Sequence, residues 1–99
     1  MILVRDVFQL KFGQARPALA AWKEGQHVMK DAMKGHSPRL LTDLVGTYYT
    51  LVLEMTFNDL AEFEKMGKSI MADDNWRAWY QKMIPYVESG HREVFNIVE

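Results

Sequence analysis

Residues 48–57 read YYTLVLEMTF, and the alternation in this stretch decides the fold. Successive side chains of a strand point to opposite faces, so Tyr49, Leu51, Leu53, Met55 and Phe57 make one uninterrupted apolar face. The even positions, Tyr48, Thr50, Val52, Glu54 and Thr56, are neither a second apolar core nor a charged solvent face. Such a mixture suits a semi-polar cavity closed by a second copy of the chain.

Towards the N-terminus, residues 2–12 (ILVRDVFQLKF) alternate in the same way. Ile2, Val4, Phe8, Leu10 and Phe12 share one face, and Leu3, Arg5, Val7, Gln9 and Lys11 the other, which predicts a strand. Asp6 interrupts the apolar face and implies either a local bulge or a carboxylate with a specific partner. Gly13 ends the strand. From Gln14 the interval changes to three or four, through Ala15, Ala18, Leu19, Trp22, Met29, Ala32 and Met33, predicting a helix that ends near Gly35. Pro17 is tolerated in its first turn. Gly25 lies on the apolar stripe, where a missing side chain allows close approach at a cost of about 1 kcal/mol in helix propensity.

After the turn signal GHSP, Arg39–Val45 reads as a shorter strand, with Gly46 and Thr47 as the reversal of a hairpin into residues 48–57. Helical spacing returns through Leu60, Phe63, Met66 or Gly67, and Ile70. Asn58 or Asp59 is its N-cap, and Glu62 completes a capping box with Asp59. A second cap at Asp73 or Asp74 starts a run carrying Trp76, Trp79, Tyr80 and Met83, which Pro85 kinks or ends. Ser89 and Gly90 then break the chain before a last strand, HREVFNIVE. The order is an α+β, ferredoxin-like βαββαβ pattern with an extra short helix: a four-stranded antiparallel sheet with its helices on one face. The other face would carry Leu3, Val7, Tyr48 and Val52 beside Arg5, Gln9, Thr50 and Glu54, too apolar to stand in water over so wide an area. Pairing with an identical sheet about a two-fold axis buries it, so the expected assembly is a homodimer.

Ninety-nine residues, 48% of them hydrophobic and 25% charged, suit one domain over residues 1–99. Twelve basic against thirteen acidic residues leave no basic cluster to neutralise a row of phosphates, so nucleic acid is not an expected partner. The absence of cysteine excludes disulfides, thiolate metal sites and a cysteine nucleophile. Arg5 and Asp6 come too early for a signal peptide's apolar segment or for the ~20 apolar residues of a membrane span. The expectation is a soluble, unprocessed cytoplasmic protein with no membrane partner.

The second half carries a resemblance. The helix FNDLAEFEKMGKSIMAD, the following NWRAWYQKMIPYV with its tryptophans, and the Glu-Ser-Gly turn into a last strand in ESGHREVFNIV are similar to the NIPSNAP-like families of the dimeric α/β-barrel superfamily. The resemblance covers nearly the whole chain in element order and length. It implies the ferredoxin-like fold and a two-fold dimer whose sheets close a barrel. The wider superfamily includes cofactor-free monooxygenases, dye- and haem-related enzymes, lactone isomerases and proteins with no assigned activity, so the resemblance implies an assembly and not a reaction. It carries over no catalytic residue.

Four residues are candidates for ligand contact: Arg5, Tyr48, Glu54 and His91. Arg5 and Glu54 fall on the cavity face of neighbouring strands, where they either bind a polar group of a ligand or form a structural ion pair. Tyr48 either donates a hydrogen bond to a ligand or packs across the dimer seam. His91 stands where the cavity mouth would be and serves either as a base or as a polar strand-end residue. Asp6 belongs with Glu54 as a carboxylate to watch. The tryptophans Trp22, Trp76 and Trp79 suggest an aromatic box, but their helical spacing reads first as core packing, and seven methionines supply adaptable apolar lining. His27 and His36 are not spaced with other ligand types, so no metal site within one chain is expected, and no cofactor either. The functional expectation is a homodimer binding a small, largely apolar or aromatic molecule in the barrel cavity. The alternative is a cofactor-free monooxygenase acting on an aromatic or polyketide-like substrate positioned by Arg5, Glu54, Tyr48 or His91. A third reading is an interaction protein with a filled seam.

Overall fold

Both alternating stretches become the two central strands of one antiparallel sheet, as their two-residue apolar period requires. A computed structural model describes residues 1–33 and 35–99. The elements are β1 (Ile2–Leu10), α1 (Ala15–Val28), β2 (Arg39–Thr42), β3 (Thr50–Phe57), α2 (Leu60–Met71), α3 (Asp74–Met83) and β4 (Val87–Asn96), with a single 3-10 turn, Ile84–Tyr86, ahead of β4. The sheet order is β2-β3-β1-β4. β1 pairs antiparallel with β3, Arg5 opposite Glu54, and with β4, Arg5 opposite Glu93. This is the ferredoxin-like arrangement.

Side chains at even positions of β1 and odd positions of β3 meet the helices and divide into two core clusters. One gathers Ile2, Val4, Met29, Met33, Met55, Phe57 and Met66. The other gathers Leu10, Ala18, Trp22, Leu51 and Met83. Leu53 packs against both, and its cross-strand partner is Asp6. An ionisable residue thus stands where a single continuous core would have its middle.

Several local expectations change. β1 stops at Leu10, and Phe12 is exposed, its ring set edge-on to Tyr49 at 4.8 Å. α1 closes at Val28, although Met29, Ala32 and Met33 stay buried on the same spacing through turns in which Met29 N donates to Gly25 O and Met33 N to Met29 O. The part of the expected helix at Lys34 lies outside the described residues. The hairpin reversal is longer than Gly46 and Thr47: the Asp43 carboxylate accepts from Thr50 N at 2.9 Å, and Asp43 N donates to Thr50 O at 3.2 Å, closing a loop around residues 44–49. Tyr48 therefore belongs to that loop and not to the strand, and Tyr49 adopts a left-handed φ of 60°. Leu44 and Val45, expected in the strand, are 96% and 94% exposed.

The caps follow side-chain chemistry. Asp59 accepts from Glu62 N at 2.9 Å, whereas the Glu62 carboxylate turns away to Asn58 Nδ2 at 2.8 Å, so the box is half made. Asp73 accepts from Asn75 N and Trp76 N and starts α3. β4 begins at Val87 instead of His91 and passes through Ser89 and Gly90 without a break. Gly90 is there for space: a Cβ would come within 2.8 Å of the Phe8 ring.

Candidate functional site

The two faces of the sheet carry two different polar arrangements. On the face away from the helices, four cross-strand neighbours form one row, Arg39, Glu54, Arg5 and Glu93, contributed by β2, β3, β1 and β4. Arg39 Nη2 donates to Glu54 Oε1 at 2.6 Å, Arg5 Nε to Glu54 Oε2 at 2.9 Å, and Arg5 Nη1 to Glu93 Oε1 at 3.0 Å. His91 Nε2 stands 3.6 Å from Glu93 Oε2 at the end of the row. The Glu54 side chain is only 10% exposed in the single chain. The Arg39 hydrogen bond, opposed by burial and reinforced by Arg5, holds its carboxyl below the ordinary 4.5. Of the four expected contact residues, the fold thus brings Arg5 and Glu54 into one row, sets His91 beside its Glu93 end, and leaves Tyr48 in the β2–β3 loop, 77% exposed.

On the helix side, a cavity of about 250 Å³ opens between the two core clusters. Its walls include Trp22, Trp76 and Trp79, with methionines from α2, β3 and the segment after α1. Trp22 and Trp79 stand edge to face with centroids 5.5 Å apart, and Trp79 Nε1 donates to Ala21 O at 2.7 Å, so that indole is fixed in place. Gly25 makes the fit possible, since a Cβ there would overlap the Trp79 ring. The three tryptophans pack in or against the core clusters, as their helical spacing predicts, and the same residues line the hollow.

Asp6 is the carboxylate of this cavity. No bulge accommodates it; β1 keeps its register there, and Asp6 takes its specific partner from β4. Arg92 Nε donates to Asp6 Oδ1 at 2.6 Å and Arg92 Nη2 to Oδ2 at 3.3 Å. That hydrogen bond raises the Arg92 pKa above its ordinary value, so the guanidinium stays charged. Arg92 also lies over the Phe63 ring at 5.0 Å, a cation–π contact that pins it at the cavity rim. Each Asp6 oxygen accepts one bond from Arg92 and so keeps acceptor capacity, and Asp6 is among the residues that line the hollow. Apart from this ion pair and the tryptophans, the polar side chain on the wall is that of Gln26. Among the described residues, no three His, Cys, Asp or Glu side chains converge as metal ligands would. None of the helices described is long and apolar enough to cross a membrane.

The family model described as NIPSNAP matches residues 5–99. The chain belongs to the NIPSNAP family. Among solved structures, it is similar to a NIPSNAP domain protein from Burkholderia xenovorans, 17% identical, over 99% of this chain and 95% of that one, with a TM-score of 0.89. A NIPSNAP family protein from Agrobacterium tumefaciens superposes with the same TM-score of 0.89 at 12% identity, covering 99% and 93% of the two chains. An antibiotic biosynthesis monooxygenase matches the full length of both chains at 13% identity and a TM-score of 0.74. At these identities the likeness is one of fold. No curated protein sequence matches the chain. The NIPSNAP fold thus supplies the sheet and helices, while the Trp22–Trp79 pair and the Asp6–Arg92 bridge are read from this chain's own residues.

Proposed function

We propose that this NIPSNAP protein binds a small, largely apolar aromatic molecule bearing one hydrogen-bond donor, in the cavity beneath its helices. The observation that carries this reading is a tryptophan- and methionine-lined hollow whose one carboxylate, Asp6, has acceptor capacity to spare. Volume bounds the ligand. An engineered apolar cavity of roughly 150 Å³ takes up benzene, so about 250 Å³ suits one or two fused rings. A hydroxyl on such a ring would donate to Asp6, and a hydrogen bond to a charged acceptor contributes about 1.5–3 kcal/mol. Calorimetry on the wild-type chain should therefore show 2-naphthol binding at least about tenfold more tightly than naphthalene. Equal affinities would remove Asp6 from recognition, and heat from neither compound would remove the binding site.

The likeness to an antibiotic biosynthesis monooxygenase favours a second reading, cofactor-free oxygenation of a bound phenolic or polyketide-like substrate. It shares the same first step, because Asp6 is placed to orient a ring hydroxyl. Both oxygens of the one carboxylate on the cavity wall are already engaged by Arg92, which suits accepting a hydrogen bond in an ion pair more than removing a proton from a substrate, so binding is the reading preferred.

The homodimer is part of the proposal, and the charged row supports it. Arg39, Glu54, Arg5 and Glu93 alternate in sign across the sheet. A two-fold axis running along the strands reverses the row, so each arginine of one copy would face a glutamate of the other. Leu3, Val7, Leu41 and Val52 flank the row and would be covered with it. The contact roles suggested for Arg5, Tyr48, Glu54 and His91 are proposed within that closed space, where a second copy completes the walls. Glu54 stays ionised until the pH falls below 4.5, because the arginines depress its pKa. The alternation, and with it the dimer, is expected to persist from neutral pH down to that range and to weaken as protonation of Glu54 leaves the arginines unopposed. Light scattering across this range tests it, and a monomer at micromolar concentration and pH 7 would sink the dimer.

A further inference from the structure

Two helical glycines line the cavity, and only one is explained by packing. Gly25 of α1 is filled by the Trp79 indole. Gly67, in the middle of α2, has nothing within 4 Å of the position a Cβ would occupy. It is not among the glycines with positive φ, so the backbone does not require it. Glycine inside a helix costs about 1 kcal/mol relative to alanine, and the fold shows no return for that cost. Position 67 lies four residues after Phe63 and three before Ile70, on the stripe of α2 that turns to the sheet, and all three line the hollow. The empty space beside Gly67 is therefore part of the cavity.

We infer that Gly67 is the specificity-determining residue of the cavity: its missing side chain sets the largest ring system the site accepts. The inference rests on the binding reading above and deepens it. With glycine, a fused two-ring aromatic fits between α2 and the Trp22–Trp79 pair. A branched side chain at 67 would project into that space and leave room for one ring only. Asp6 and Arg92 belong to β1 and β4, and the contact of Arg92 with α2 is made through Phe63 and not through position 67.

The test compares phenol and 2-naphthol by calorimetry on wild type, Gly67→Ala and Gly67→Leu, with thermal melts of all three. Wild type is expected to bind both compounds. Gly67→Leu should weaken 2-naphthol at least about tenfold relative to phenol, the scale of overpacking among packed side chains. Gly67→Ala should shift the same ratio in the same direction by a smaller factor and raise Tm by about 4–8 °C, because a helical glycine is replaced without a clash. A 2-naphthol to phenol ratio unchanged in both variants overturns the assignment while leaving the binding reading intact. A lower Tm for Gly67→Ala also overturns it, since the glycine would then be a packing requirement. If wild type binds neither compound, the binding reading itself fails and the assignment goes with it. Should Gly67→Leu not fold, the Gly67→Ala ratio and melt decide alone.

Discussion

Phe57→Ala is expected to lower the stability of the chain by about 3–5 kcal/mol, the range for emptying a large buried aromatic site. Phe57 is 1% exposed and ends β3 beneath α2, with ring centroids 5.3 Å from Phe63 and 4.6 Å from His36. Its neighbours belong to three segments, so no single movement refills the hole. Val4 and Met29, also fully buried in this cluster, are held by β1 and by the segment after α1. Against a total stability of about 5–15 kcal/mol for a domain of this size, the loss is a large fraction. Urea unfolding should show the midpoint falling by about 2 M for a slope near 2 kcal/mol per molar. A fall below about 0.5 M would mean that the core here collapses around the gap, and the account of the first cluster would have to be withdrawn.

Gly25→Leu carries the next largest expected effect. The Trp79 indole occupies the space a side chain would need, and its N–H is held by Ala21 O at 2.7 Å. Overpacking costs about 1–3 kcal/mol and losing that hydrogen bond about 1 kcal/mol, against about 1 kcal/mol gained in helix propensity, for a net loss of about 2 kcal/mol. Gly25→Ala separates the two opposing terms. Alanine gains about 1 kcal/mol of helix propensity, yet its Cβ already overlaps the indole, so the net change should still be a loss. Chemical unfolding of both variants checks the order, and a stabilised Gly25→Ala would show that Trp79 can move aside freely. The same substitution is thus expected to act in opposite directions at Gly25 and Gly67, because one space is full and the other is not.

What could be read from the sequence followed local rules. The period of two placed Arg5 and Glu54 on one face and Leu51, Met55 and Phe57 on the other, and Asp59 and Asp73 cap helices as short acceptors at those positions do. What escaped depends on distance along the chain or on volume. Asp6 and Arg92 are 86 residues apart, and only the β1–β4 register, with its shift between Gln9 and Leu10, brings them together. An apolar stripe has the same spacing whether it faces a filled core or a hollow, so reading Trp22 and Trp79 first as core packing is right but gives no sign of the hollow beside them. The pair Leu44 and Val45 has strand-like chemistry, but Asp43 closes the ladder before them and leaves them in the loop. Gly90 resembled a break because glycine punctuates chains, whereas here it makes room for the Phe8 ring.

The strand order leaves β4, ten residues long, on the outside of the sheet. A long border of this kind offers its outward amide and carbonyl groups to any extended segment that drifts past, and uncontrolled addition of strands there leads to fibres. His91, Arg92 and Glu93 occupy its middle, and the displaced register near Gln9 bends one end. An incoming strand would have to settle against ionisable side chains on a border that is not straight. Along this border, protection against strand addition is therefore concentrated in a few residues of the last strand, and the near-zero net charge contributes little to it.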